Sequence, residues 1–343
     1  MINRKHFYLF VSFVLLFVVE LSAQKITAVN LKELIKREDT LKSISRNVSL
    51  GETPVARFHA NDSFVRKFVQ TLKIKNSFYY PFDSLSISKI YSPDSVFRIF
   101  TWQLKKDEYI YHQMGAIQMN TPDGSLKLLS LHDRSSFTAK PWDSTRSRNN
   151  WIGAIYYKMI MKEHNGKKYY TLIGFDDFSV NTNKKWMEIL HFDDSGEPVF
   201  GGQFISFKDD TGKNKRPAMA RYFIEYKKEA KTFFNYDPEL DLIIVDHLIS
   251  ETDEPEKKFT FIPDGDYEGF RWQNGQWVHV DKLFNEKLKD GEFPKEKLLY
   301  DDAGNTDERQ LEEASQKNID KKKPPKPPAK KTEPVKKKSG GGE

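Results

Sequence analysis

From about Leu85 to Asp281 the chain is built of short apolar, aromatic-rich runs separated by turn-forming residues. They recur at roughly eight-to-twelve-residue spacing, the rhythm of an all-β domain. The densest stretch is Lys167 to Phe207, KKYYTLIGFDDFSVNTNKKWMEILHFDDSGEPVFGGQFISF, which reads as consecutive antiparallel strands. Ser92-Pro93-Asp94-Ser95 precedes the run Phe97 to Leu104, and Thr121-Pro122-Asp123-Gly124 precedes Leu126 to Leu131. Pro fixes φ, Asp bonds its own backbone and Gly accepts positive φ, so these junctions carry a turn mechanism. Further strands are predicted at Tyr109 to Met119, Trp151 to Met161, Arg221 to Tyr226, Lys231 to Tyr236, Leu242 to Val245 and Phe259 to Ile262. In Arg271-Trp272-Gln273-Asn274-Gly275-Gln276-Trp277-Val278 the Asn-Gly pair predicts a two-residue hairpin loop that sets Trp272 opposite Trp277. About a dozen strands without βαβ alternation predict a mainly β fold, a large antiparallel meander closed as a barrel, stacked as a sandwich or arranged like a propeller. No fixed period of the length of a propeller blade is present.

The ends differ from this body. Arg4 and Lys5, the apolar run Phe7 to Val19 and the small residues Ser22 and Ala23 follow the order of an export signal, so residues 1–23 are expected to be a cleaved signal peptide. The run is 13 residues long, and a membrane-spanning helix needs about 20. Residues 24–78 are expected to be partly helical, with Leu31, Leu34, Ile35 and Leu41 near one face, Gly51 to Pro54 in a loop, and Asn61-Asp62-Ser63 capping a helix that buries Phe64, Phe68 and Leu72. Residues 79–281 form the β-rich body, 282–320 a charged helix or linker, and 321–343 a Lys/Pro-rich disordered tail.

The net charge is +6. The tail carries +7 and the signal +1, which leaves the body at −2 and removes the case for a nucleic-acid partner. The polybasic tail instead suggests a tether to anionic envelope polymers. With no Cys in the chain, disulfides, thiolate metal sites and Cys nucleophiles are excluded.

No Gly-x-Ser-x-Gly elbow, His-Glu-x-x-His, Walker loop or dinucleotide fingerprint occurs. His279 and Asp281, two apart on a strand, share a face on which a metal would need a third ligand. The carboxylate clusters Asp176-Asp177, Asp193-Asp194, Asp209-Asp210 and Asp264-Gly265-Asp266-Tyr267-Glu268 read as turn residues rather than a calcium loop or a paired acid and base. The six Trp, with Tyr169, Tyr170, Phe204 and Phe207, read as core and cross-strand packing rather than a stacking surface for sugars or peptides. No catalytic, cofactor-binding or metal-ligating residue and no cofactor is assigned.

Several strings are similar to a family of secreted bacterial β-rich proteins of unassigned function. They are Tyr79-Tyr80-Pro81-Phe82-Asp83-Ser84-Leu85, Ser92-Pro93-Asp94 with Phe97 to Gln103, Gly153 to Lys158, Tyr169 to Asp176, Thr182 to Lys185, Gly196 to Gly201 and Asp246-His247-Leu248. Where the family reads Gly-Trp-Asp-Gly-Asn this chain has Gly174-Phe175-Asp176-Asp177-Phe178, matching at Gly174 and Asp176. The resemblance implies a β-rich, exported protein and carries no catalytic residue. The expected function is that of an exported, non-catalytic protein, periplasmic or extracellular, that binds a partner or polymer. The alternative is a hydrolase acting on envelope or extracellular polymers.

Overall fold

Two helices, three stacked sheets and the contacts between them account for the body of the computed structural model, which describes residues 26–107, 110–208 and 214–283. Thr27 caps α1 (Ala28–Leu50) by accepting a hydrogen bond from the Asn30 amide. Thr53 caps α2 (Pro54–Leu72) in the same way, with Pro54 at the first helical position. The helix therefore starts a full two turns before Asn61, which lies inside it and accepts from the Trp102 indole at 2.9 Å instead of capping. Leu34, Leu41 and Val48 lie one heptad apart on α1, and Phe64, Phe68 and Leu72 one turn apart on α2, so each helix has one stripe to bury. Ile35, expected on that stripe, faces solvent.

The stripes cover one face of the first sheet, an antiparallel meander of β1 (Ser88–Tyr91), β2 (Phe97–Lys105), β3 (Tyr111–Met119) and β4 (Lys127–His132). Strand alternation divides β2: Phe100, Trp102 and Leu104 meet the helices, while Phe97 and Ile99 meet the second sheet. Arg98, on the helix side, is fully buried, and among the described residues no carboxylate pairs with it. Its guanidinium donates to the carbonyls of Ser77 and Tyr80, to Gln118 and to the Tyr91 hydroxyl, with the rings of Phe78, Phe82, Tyr91 and Phe100 around it. Burial pushes its pKa down to about 10.

The second sheet runs β5 (Arg146–Ser147), β9 (Pro198–Phe200), β8 (Thr182–Phe192), β7 (Lys167–Asp176), β6 (Ile155–His164), with β12 (Arg221–Lys227) also paired to β8. It is covered on both sides. Leu172, Trp186 and Leu190 pack on the first sheet, and Ile173, Met187 and Ile189 on the third. That double burial is why the centres of β7 (Tyr169–Phe175) and β8 (Trp186–Leu190) are rich in apolar residues on both faces.

The third sheet runs β11 (Asn214–Met219), β10 (Ile205–Lys208), β16 (Gln276–Val280), β15 (Phe261–Gln273), β14 (Leu242–Ser250), β13 (Phe234–Asp237). Its β10–β16 pair is parallel and the others are antiparallel. The hairpin forms as expected: Asn274 and Gly275 take positive φ, and Trp272 pairs with Trp277 at a 5.4 Å ring separation. The fold is mainly β with a helical N-terminal region, and among the described residues the sheets stack rather than close into a barrel. The expected signal peptide, the helix or linker beyond residue 283, the tail and Asp209-Asp210 lie outside the described residues.

Candidate functional site

The face of the second sheet that meets the first sheet is organised in rows by strand register. Nearest its open end, Asp176 on β7 pairs with Lys184 on β8, which pairs with Glu225 on β12. The next row is Tyr156, Gly174, Trp186 and Phe223; the one after it sets Leu172, Glu188 and Arg221 side by side. Strand neighbours lie about 4.8 Å apart, so one face carries acid, base and acid in line, then three aromatic rings with Gly174 among them, then a second ion pair.

The deeper pair is closed. Arg221 Nε lies 2.7 Å from Glu188 Oε2, and both side chains are buried. The guanidinium also donates to the carbonyls of Phe200, Pro141 and Ser144. Glu188 accepts from the Tyr156 hydroxyl, which accepts from the Trp151 indole at 2.9 Å. Gly174 makes this geometry possible, because a Cβ there would stand 2.7 Å from Ala154 Cβ and 2.9 Å from the Tyr156 ring. Charges this deep need partners, and this pair is supplied with them.

The outer row opens into a cleft of about 550 Å³. Its floor is Asp176, Lys184 and Gln113, and its wall is the aromatic succession Trp142, Phe223, Trp186, with centroid separations of 5.9 and 4.9 Å. Residues 135–142 form the facing rim. Trp142 stands on a loop fixed from below: Arg221 holds the carbonyls on either side of it, and the Ala220 amide donates to the Trp142 carbonyl at 2.7 Å.

Within the cleft Lys184 lies 3.3 Å from Glu225 and its ammonium sits over the Phe178 ring. Burial lowers the Lys184 pKa, opposed by Glu225. Asp176 accepts from the Gln113 amide at 2.7 Å and, more weakly, from Gln103 at 3.3 Å. Burial raises its pKa to about 7, and Lys184 limits the rise. Gln113 is 2% exposed and Trp186 5%, yet among the described residues Gln113 Oε1 and Trp186 Nε1 have no hydrogen-bond partner. A protein seldom leaves a buried donor and a buried acceptor unpaired, because each forfeits its hydration without return.

The other sequence candidates fall elsewhere. Asp177 pairs with Lys228 beyond the end of β7, while its neighbour Asp176 is the last strand residue and is buried, so the turn reading is corrected for Asp176. Asp193 accepts from the amides of Ser195 and Glu197 as a turn residue does. Asp264 and Asp266 lie within β15 and not in a turn; Asp264 accepts from the Asp266 amide and pairs with His247 at 2.8 Å. His279 has both ring nitrogens engaged, one 2.8 Å from Glu268 and the other 3.1 Å from Asp281. Among the described residues no group of three His, Asp or Glu is arranged to hold a metal ion. Trp151 and Trp277 are fully buried, in keeping with core packing, whereas Trp142 and Trp186 line the cleft. No helix among the described residues is long and apolar enough to cross a membrane.

Comparisons with family models, with curated proteins and with solved structures found no match to this chain.

Proposed function

We propose that this chain is an exported, non-catalytic binding protein of the cell envelope or its surroundings, and that the cleft between the first and second sheets is where it holds its ligand. The observation that carries the reading is the pair of unpartnered buried polar atoms, Gln113 Oε1 and Trp186 Nε1, at an aromatic-walled opening. Export rests on the charge, apolar run and small-residue order of residues 1–23 and on the resemblance to secreted bacterial β-rich proteins. The Lys-rich tail at 321–343 adds a salt-sensitive attraction to anionic envelope polymers. The test is co-sedimentation of the purified mature chain with isolated envelope material. Retention at high salt is expected to be lost in Phe223→Ala and Trp142→Ala, and removal of residues 321–343 to weaken retention at low salt alone. If neither cleft substitution lowers retention, the cleft is not the binding site.

A hydrolase acting on such polymers is the second reading, favoured by one observation: Asp176 keeps its proton to about 7 in the same cleft as a second carboxylate, Glu225. It requires release of soluble fragments from the same material, abolished in Asp176→Asn. Fragment release that persists in that variant removes Asp176 from the chemistry.

A further inference from the structure

The chemistry of the cleft narrows the ligand, on the reading that this cleft is the binding site. The aromatic wall offers ring faces to an apolar surface, and the floor asks for something specific beside it. Trp186 Nε1 can only donate and the free Gln113 Oε1 can only accept, and both residues line the same cleft, so one ligand group serving both would accept and donate at once. A hydroxyl does both. A carboxylate or phosphate satisfies only the donor, and an ammonium only the acceptor.

Charge argues in the same direction. Lys184 is the single cation lining the cleft itself and is already committed to Glu225, so where the first unit sits no positive group is left for an anion; Lys258 stands only in a second depression. With Asp176 and Glu225 both present, an anion would meet carboxyl groups instead. That second depression adjoins the cleft at β12. Phe223 and Glu225 line it too, about 400 Å³ on the far side of β12, together with His247, Lys258, Phe261 and Glu268.

We infer that the cleft binds a neutral, linear glycan, one sugar ring lying against Phe223 and Trp142 with a hydroxyl bridging Trp186 Nε1 and Gln113 Oε1, and the following units passing over β12 toward Phe261. A ring with an apolar C–H face and peripheral hydroxyls matches both the wall and the floor, and a chain of them matches the paired depressions.

The experiment is titration of the mature full-length chain, followed by intrinsic tryptophan fluorescence and calorimetry, with four probes: neutral gluco- and manno-oligosaccharides of one to six units, oligogalacturonates, chitosan oligomers, and a proline-rich peptide. The neutral series is expected to bind, more tightly as length grows from one unit to about four. Trp186→Phe, which deletes the donor and keeps a smaller ring, is expected to weaken binding about 5- to 20-fold, the loss of one buried hydrogen bond, in a protein still folded by its far-ultraviolet circular dichroism. Binding of the uronates, chitosan or peptide with none of the neutral sugars overturns the ligand class. Neutral-sugar binding that is indifferent to both Trp186→Phe and Phe223→Ala overturns the bridging geometry. If envelope material is retained through Phe223 but no neutral sugar competes for it, the class is wrong and the cleft stands; if retention ignores Phe223, the cleft itself falls.

Discussion

Two buried carboxylates sit on one face of the same strand pair and have opposite surroundings. Glu188 and Arg221 are enclosed, with Tyr156 and backbone carbonyls completing the pair. Asp176 and Lys184, two rows outward, reach a cleft where neighbouring polar atoms remain unpaired. The inner pair stabilises by satisfaction, since a buried ion pair is costly chiefly when one member is removed. The outer row retains a charge-dependent cost that a ligand can relieve. Burial alone therefore does not separate scaffold from site; opening onto a cleft does.

The contrast can be broken most forcefully at its inner end. Arg221→Ala should leave Glu188 buried without its cation, to be held as a costly charge or forced to take up a proton, and lower the free energy of unfolding by about 3 to 5 kcal/mol, measured by denaturant titration; a loss under 1 kcal/mol would place the pair among dispensable contacts. The outer row should respond in the opposite direction. Asp176 has its folded pKa raised to about 7 against an ordinary value of 3.8. Between those values the folded chain holds a proton that the unfolded chain has released, so stability is full below about pH 4 and falls as pH rises through 7. Asp176→Asn cannot titrate, and should be more stable than the parent by about 2 to 3 kcal/mol at pH 8 and close to it at pH 4. Equal stability of the two proteins at both pH values would refute a buried, proton-holding Asp176.

Gly174→Ala sharpens the comparison, because Gly174 stands beside Trp186 in the outer region and gives Tyr156 its path to Glu188. Crowding Ala154 and Tyr156 should cost about 1 to 2 kcal/mol, with loss of the near-ultraviolet signal of the Trp151–Tyr156 pair. The smallest effect on folding is expected from Trp186→Phe, about 1 kcal/mol, the packing lost when a smaller ring replaces a buried indole against Phe223. A loss above about 3 kcal/mol would exceed that packing change and mean that Nε1 is bonded.

Local chemistry was legible in the sequence wherever it was self-contained. The Asn274-Gly275 turn dictates its own hairpin, and the Trp272–Trp277 pair follows from it. Strand runs such as Phe97 to Leu104 were readable because alternation and flanking turns act over a few residues. Some short strands escaped: β5 has only two residues and β9 three, too few to show a period. The cleft was illegible for a different reason. Gln113, Trp142, Asp176, Lys184, Trp186 and Phe223 are joined by register across β7, β8 and β12 and by a loop, not by spacing along the chain. Asp176-Asp177 looks like a turn because Asp177 lies past the strand end; the burial of its neighbour is set by Gln113 and Gln103 on another sheet. A weak signal was present in Thr182-Asn183-Lys184-Lys185, a polar opening to a strand whose remainder is buried on both faces.

Arg98 carries a consequence for how the molecule breathes. A permanently charged guanidinium held by the carbonyls of Ser77 and Tyr80 cannot be left on a bare sheet face without losing those bonds while remaining inside. The segment from Ser77 to Phe82 and the centre of β2 should therefore open together as one cooperative unit, and their amides should share a single opening free energy in native-state hydrogen exchange. The connection that leads from the helices into the first sheet is then no loose linker, but part of the same foldon as the strand it touches.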